Sequence, residues 1–239
     1  MLGRTSTNTY QNTVDYDMGL RQYMISVLNN MSVGVGISGL VAYLVGTNPA
    51  LLSAIFGSTV MVWVVMLAPL VILFPLTWAL SSLSYSVAKL WYYAFTASFG
   101  LSLSSIFLTF HLGSIVTVFL ITMIMFSSLG LWGYTTKRDL TGFGSFLFMA
   151  LIGLILVSFV GFWVHSSVFH FIINLAGVLI FAGFTCFDMQ SIKNNYNGTS
   201  DPDLLARNAL DGAINLYLDF LNLFINLLQI LGPLLGNDD

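Results

Sequence analysis

Two aspartates, Asp188 and Asp219, are the side chains of this sequence best placed to do chemistry, because each lies in or at the end of a long apolar segment. Only 7% of the residues are charged, whereas 57% are hydrophobic. An ionised acid at membrane depth costs about 2.5–3.5 kcal/mol on insertion scales unless it is neutralised, paired or hydrated. Acids in such segments therefore indicate a functional site that exchanges protons or binds cations.

Asp219 also belongs to a polar stripe in the last apolar segment. Its members recur at steps of three and four residues, which is the spacing of one helix face. The stripe consists of Asn208, Asp211, Asn215, Asp219, Asn222, Asn226 and Gln229. Lipid cannot satisfy such a face, so we expect it to meet water or protein. For Asn208, Asn226 and Gln229 the main alternative is hydrogen bonding to neighbouring helices.

The composition excludes a soluble globular domain, because the mean hydropathy is strongly positive and apolar runs exceed the length of a membrane span. The runs are continuously apolar rather than alternating, which argues against a transmembrane barrel. Residues 1–23 are polar and lead directly into a long apolar run, so they are not a cleavable signal peptide. The single cysteine, Cys186, rules out an intrachain disulfide, and no basic patch suggests nucleic-acid binding.

These features predict an all-α integral membrane protein with seven transmembrane helices. We divide the chain into a cytoplasmic segment at 1–23, one transmembrane domain at 24–235 and a short acidic tail at 236–239. The expected spans are 24–46, 51–79, 90–110, 114–134, 140–163, 168–190 and 206–233.

The basic residues predict the orientation of these spans. With seven spans, every lysine and arginine falls on one side of the membrane, and removing a span breaks this segregation. The positive-inside rule then places the N-terminus in the cytoplasm and the C-terminus on the opposite side. A final segment that re-enters the membrane without crossing it is the main alternative.

Spans six and seven are consecutive and antiparallel, so Asp188 and Asp219 can meet if the 200–210 segment lies partly along the membrane surface. Two carboxyls at short range share one proton and titrate as a unit. When ionised, they supply hard oxygen ligands suited to Ca²⁺, with Asn215 and Asn222 in support. The alternative for Asp188 is a solvated acid at a helix end, partnered by Lys193 one turn away.

Other chemistries fit less well. An intramembrane aspartyl protease places its second acid in a Gly-x-Gly-Asp motif, whereas residues 216–218 read Leu-Tyr-Leu. A retinal protein needs a lysine in its last helix, which this sequence lacks. His111, His165 and His170 show no strong metal-ligand spacing. No Gly-x-Ser-x-Gly-like nucleophile is convincing as part of a serine protease. We therefore expect neither an enzyme nor a resident cofactor, with Ca²⁺ only as a transported or transiently bound ion.

Four passages resemble the transmembrane Bax inhibitor motif family, which includes Bax inhibitor-1 and its bacterial relatives. The most specific is AINLYLDFLNLF at Ala213–Phe224. The others are YTTKRDLT at Tyr134–Thr141, FDMQ at Phe187–Gln190 and YDMGLR at Tyr16–Arg21. Together with the length and the span count, the resemblance covers nearly the whole chain.

The resemblance implies a seven-helix fold in which two groups of three helices wrap the last helix. It also implies a pH-sensitive Ca²⁺ leak, in which the residues matching Asp188 and Asp219 form the sensing pair. Phe187 replaces the usual tyrosine of the family. Some bacterial members hold the pair with a basic residue on span two, but residues 51–79 carry no charge, so such a latch is doubtful.

The leading hypothesis is thus a bacterial cytoplasmic-membrane protein that leaks Ca²⁺ under proton control. Asp188 and Asp219 sense pH and bind the cation, and Asp211, Asn215 and Asn222 form the supporting polar face. The alternative is a non-conducting regulator that binds a membrane quality-control protease or translocon through the loops at 137–139 and 193–207. An intramembrane aspartyl protease ranks third.

Overall fold

A computed structural model of the protein describes residues 3–80, 82–161, 163–164, 166–198 and 201–236, with side chains from residue 17 onward. All regular structure in these residues is helical. The helices are α1 Gly3–Gly46, α2 Pro49–Phe56, α3 Thr59–Ala79, α4 Tyr85–Leu103, α5 Leu112–Thr135, α6 Thr141–Val160, α7 Ser167–Asn194 and α8 Pro202–Leu235. A 3₁₀ helix at Ser104–Leu108 follows α4.

Six of the described helices are long and apolar enough to cross a membrane, namely α1 from Asp17, α3, α5, α6, α7 and α8. Helix α4 falls outside this group because it carries Lys89 and many serine, threonine and tyrosine residues. The protein is therefore an all-helical integral membrane protein. The seventh span, which we expected at 90–110, stays a prediction.

Helix boundaries differ from the expected division of the chain at two places. The segment expected as one span at 51–79 divides into α2 and α3 around Gly57, and α3 continues through Pro69 and Pro75. Asn48 caps α2, since its side-chain oxygen accepts hydrogen bonds from two backbone N–H groups. At the N-terminus, α1 begins at Gly3, so helix crosses the boundary expected between a polar segment and the first span. Residues 237–239 of the expected acidic tail lie outside the described residues.

Helix α8 packs against helices from both halves of the protein. Helices α1, α3 and α4 form one set of packed neighbours, and α5, α6 and α7 form another. Helix α8 packs against α7, α1, α5 and α4, whereas α3 packs mainly on α4 and α6 on α7. Helix α8 carries the polar stripe on one side, and most of its apolar residues are buried by these neighbours. The full wrapping of α8 by six helices stays a prediction.

One end of the bundle collects the basic residues, and we call it the basic end. There, the Arg207 guanidinium donates to the carbonyl of Leu83 at 3.2 Å. At the same end, the Lys193 ammonium donates to the carbonyl of Tyr134 at 2.8 Å. The first contact joins the start of α8 to the start of α4, and the second joins the end of α7 to the end of α5. The basic residues near these termini thus share one end, as the positive-inside argument requires, while the side of the membrane that this end faces stays a prediction.

A buried polar network fixes α8 on the side of the bundle formed by α1 and α4. The Tyr217 hydroxyl lies 2.6 Å from Oγ of Ser38, and Ser38 also donates to the carbonyl of Thr96 at 2.7 Å. Phe95 and Phe99 pack edge-on against the Tyr217 ring, which is fully buried. This packing sets the rotation of α8 about its axis and directs the opposite face, which carries Asp219, towards α7.

Candidate functional site

Helices α7 and α8 bring the carboxyl groups of Asp188 and Asp219 into contact. Ile192 of α7 lies beside Gly212 of α8, so the first turns of α8 extend beyond the end of α7. Helix α8 is continuous from Pro202, and the expected stretch lying along the membrane surface is not needed for the acids to meet. Asp201 caps this helix, because its carboxylate accepts hydrogen bonds from the backbone N–H groups of Asp203 and Leu204.

The pair is shielded from solvent more than a helix-end acid would be. Asp219 is only 5% exposed, and Asp188 is partly buried. The Oδ2 atom of Asp219 is buried and has no hydrogen-bond donor in the described part of the chain. Two ionised carboxylates repel each other at short range. A proton on one of them would let the two acids form a hydrogen bond with each other.

No basic side chain in the described ranges neutralises the pair. Lys193, the expected partner of Asp188, points away: its ammonium bonds the Tyr134 carbonyl and lies 4.7 Å from the centre of the Tyr134 ring. The titratable groups that act on the pair are Asp211 and the thiol of Cys186, and neither is a cation. Charge compensation must therefore come from a proton, water or a bound cation.

Two cavities meet at the pair. The first, which we call the vestibule, has a volume of about 200 Å³ and lies at the basic end. It is lined mainly by polar side chains, including Tyr23, Asn195, Asn208 and Asp211. The second, which we call the cleft, has a volume of about 740 Å³ and lies between α6 and the α7–α8 pair. Asp188 and Asn215 line both cavities, while Asp219 lines the cleft.

The expected supporting residues divide between these cavities. Asp211 lies in the vestibule, Asn215 at the junction, and Asn222 in the cleft with Asn226. Gln229, the last member of the stripe, lines neither cavity and is exposed. The polar face of α8 therefore follows the two cavities over most of its length.

The pair is an incomplete metal site. Among the described residues there is no group of three or more histidine, cysteine or acidic side chains placed to hold a metal ion. Ca²⁺ takes six to eight oxygen ligands, so Asp188 and Asp219 would need amide oxygens and water to complete a shell. Its role as a calcium site stays a prediction. His111 and His170 lie near the starts of α5 and α7, far from the pair, and His165 lies outside the described residues.

Gln190 holds the α5–α6 loop beside the site, a role that the sequence did not reveal. Its amide nitrogen donates to the carbonyl of Arg138 at 2.8 Å, and its amide oxygen accepts from the N–H of Leu140 at 2.9 Å. Lys137 and Arg138 are exposed on this loop. Asp139 lies two residues before the start of α6, and its carboxylate accepts hydrogen bonds from the N–H and the hydroxyl of Thr141. These two bonds lower the pKa of Asp139.

Glycines on α5 let α7 approach closely at the level of the pair. A Cβ atom on Gly133 would lie 2.8 Å from the Cα of Cys186, and one on Gly130 would lie 2.9 Å from the Met189 side chain. Contacts below 3.0 Å force a shift of the backbone or side chain. Because these positions flank Asp188 on the opposite helix, they fix how far α7 stands from α5.

The fold and this site define a helical membrane protein with two acids in contact between its last two helices. The family model described as Inhibitor of apoptosis-promoting Bax1 matches residues 20–236 of the chain. The chain belongs to this family, which confirms the resemblance found in the sequence motifs.

Bacterial relatives match most of the chain. The inner membrane protein YbhL of Escherichia coli is 39% identical over 216 residues, covering 90% of this chain and 92% of that protein. An uncharacterized protein of Caulobacter vibrioides is 38% identical over 227 residues and covers 90% of each chain. The uncharacterized protein RP147 of Rickettsia prowazekii is 33% identical over 229 residues and covers 96% of each chain.

Proposed function

We propose that the protein permits a slow, proton-regulated leak of Ca²⁺ through a bacterial inner membrane. The observation that carries this proposal is the contact between Asp188 and Asp219 at the junction of two cavities, with no basic partner among the described side chains. The name of the Escherichia coli relative supports the inner-membrane location. With seven spans, the basic end and the N-terminus face the cytoplasm and the C-terminus faces the opposite side.

The proposed regulation follows from competition for the same oxygens. A proton shared by Asp188 and Asp219 removes one negative charge and holds α7 to α8 at the junction. Loss of that proton leaves two like charges, which repel each other unless a cation binds between them. Higher pH therefore favours cation occupancy of the pair. The vestibule supplies Asp211 as a further acid that attracts cations towards the junction.

The pair performs no catalytic step in this proposal, and no resident cofactor is needed. Ca²⁺ is the transported ion, and protons set its access. Asn215, at the junction, and Asn222, within the cleft, supply neutral oxygens next to the acids.

Calcium flux into vesicles tests the proposal. The purified protein is placed in liposomes loaded with a Ca²⁺ dye, and entry is measured from pH 5 to 8. Asp219→Asn and Asp188→Asn each remove a charged ligand, worth about 1.5–3 kcal/mol, so flux should fall about ten- to a hundredfold and lose its pH dependence. Asp203→Asn is the matched control, because Asp203 is an exposed acid in the first turn of α8 outside both cavities. Unchanged flux and pH dependence in both site variants would refute the mechanism.

A non-conducting regulator is the second candidate, and the loop held by Gln190 favours it. This loop presents Lys137 and Arg138 at the surface in a fixed conformation, which suits an acidic partner surface on a membrane protease or translocon. The double variant Lys137→Ala, Arg138→Ala should then lose a partner recovered by cross-linking in cells, while Asp219→Asn keeps it. Recovery of the same partner by both variants would remove this surface from consideration.

An aspartyl protease is the third candidate, since acids that share a proton also serve in proteolysis. It predicts cleavage of a membrane substrate that either Asp188→Ala or Asp219→Ala abolishes. Equal cleavage by the wild type and both variants would exclude it.

A further inference from the structure

The cleft continues beyond the acid pair along a row of asparagines on α8. Asn222 donates its amide N–H to the carbonyl of Leu218 at 2.8 Å, and Asn226 donates to the carbonyl of Asn222 at 2.7 Å. Both bonds lie within α8 itself. One amide hydrogen of each asparagine is therefore directed along the helix, and the interhelical hydrogen bond considered as the alternative for Asn226 is not what this contact provides.

The amide oxygens of Asn222 and Asn226 are left as open acceptors. Neither oxygen accepts a hydrogen bond from any described residue. In the described part of the chain, the only buried side-chain oxygen or nitrogen that lacks a partner is Oδ2 of Asp219, so these two unpartnered oxygens are not buried. The two oxygens are therefore accessible, and both residues line the cleft. They continue the line of oxygen ligands that starts at Asp188 and Asp219.

Residues on α6 and α7 complete this row. Ser158 donates its hydroxyl to the carbonyl of Leu154 at 2.7 Å, so its oxygen also faces the cleft as an acceptor. Asn174 lines the cleft on α7. Helix α7 comes close to Asn226 only because residue 177 is glycine: a Cβ there would lie 2.6 Å from Cγ of Asn226. The absence of a side chain leaves room for the Asn226 amide at the α7 surface.

We propose that Asn222 and Asn226, with Asn174 and Ser158, form an oxygen-lined track that carries a partly dehydrated metal cation between the acid pair and the far end of the cleft. This inference rests on the proposed leak and describes the part of its path that lies beyond the acid pair. Oxygen acceptors replace water around a cation, whereas an anion would find only the one remaining N–H of each amide and would be repelled by the acid pair at the inner end of the track. The track is neutral, so it binds the cation less tightly than the acids do and allows it to leave.

The remaining walls of the cleft make this row the polar part of the path. Phe148, Leu151 and Ile155 of α6 face it with apolar side chains. A cation cannot exchange its water for hydrocarbon, so it must follow the oxygens of α8 and α7. The track therefore predicts selectivity for cations over anions without any further charged residue in the cleft.

Paired substitutions on α8 test the track. The double variant Asn222→Leu, Asn226→Leu keeps side-chain size but removes both oxygens, and Ca²⁺ entry into dye-loaded liposomes should fall about tenfold. The double variant Asn222→Ser, Asn226→Ser keeps an acceptor at each position and should retain most of the flux, since a helical serine donates four residues back as Ser158 does. Gln229→Leu is the matched control, because this stripe residue lies outside the cleft. Thermal unfolding in detergent confirms that each variant is folded.

Each outcome bears on a separate part of the proposal. Leucine variants that conduct like the wild type would overturn the track while leaving the acid pair intact as the gate. If the Ca²⁺ flux of the serine variant falls as far as that of the leucine variant, a side-chain oxygen is not what matters, and the track is overturned as well. A wild type that passes no Ca²⁺ while remaining folded would refute the proposed leak, and the track with it. Chloride entry, followed with a halide-sensitive dye, should stay at the level of protein-free vesicles.

Discussion

Replacing Ser38 with alanine should destabilise the protein more than replacing Tyr217 with phenylalanine, although both changes remove one end of the same hydrogen bond. A serine hydroxyl has one proton, and Ser38 already lies within hydrogen-bonding distance of the carbonyls of Thr96 and Gly34, at 2.7 and 3.0 Å. Tyr217 must therefore be the donor in its 2.6 Å contact with Ser38. The two ends of the bond are not equivalent.

The expected magnitudes follow from what each change leaves behind. Ser38→Ala leaves the O–H of Tyr217 without an acceptor at a fully buried position, which costs about 1–3 kcal/mol. Tyr217→Phe removes the donor itself, and Ser38 keeps the Thr96 carbonyl as its acceptor. That loss should be nearer the average of about 0.6 kcal/mol measured for hydrogen bonds between membrane helices. In the double variant no donor is left unsatisfied, so it should be no less stable than Ser38→Ala alone.

Unfolding of the four proteins in mixed micelles, followed by circular dichroism as denaturing detergent is added, measures these free energies as a double-mutant cycle. The coupling between Ser38 and Tyr217 should be at least the cost of Tyr217→Phe, about 0.6 kcal/mol. A cost for Tyr217→Phe equal to or greater than that for Ser38→Ala would refute the assignment of the donor. Additive costs in the double variant would show that no buried hydrogen bond joins these helices.

Three further changes test the packing and the loop beside the acid pair. Gly133→Ala forces a methyl group against the α7 backbone and should cost more than about 2 kcal/mol in the same unfolding assay. In the control Gly142→Ala the methyl group meets open space, and the change should stabilise the protein by about 0.5–1 kcal/mol. Equal effects of the two changes would contradict the close approach of α5 and α7. Gln190→Ala should cost about 1–3 kcal/mol and speed amide exchange in the loop that it holds, and unchanged exchange would remove that role. Because its bonds to Thr141 lower the pKa of Asp139, the ionised form stabilises the fold at neutral pH and that contribution is lost as the pH falls through the lowered pKa. Asp139→Ala should therefore be less stable than Asp139→Asn at pH 7. The loss of unfolding free energy in Asp139→Ala, relative to the wild type, should shrink towards pH 3. A loss that does not change with pH would argue against the contribution of the bonds to Thr141.

The sequence was sufficient to predict the class of protein and the two acids at its centre. Apolar runs of membrane length and a polar stripe with helical spacing are local patterns, and they do not depend on which helices pack against each other. Asp188 and Asp219 could be selected because charge is so rare in these runs that each acid needs a special environment. The motif at Ala213–Phe224 identified the family from residues that lie on one helix.

Tertiary structure alone decided the partners of these residues. Lys193 is one turn from Asp188 in sequence, but the rotation of α7 directs its ammonium to α5, and the acids are left with each other. Ser38 and Tyr217 are far apart in the chain, so only the packing of α1 on α8 could show that they bond. Hydropathy fixes which segments become helices in a membrane, whereas the helix rotations and close approaches that build the site depend on side-chain contacts between distant segments.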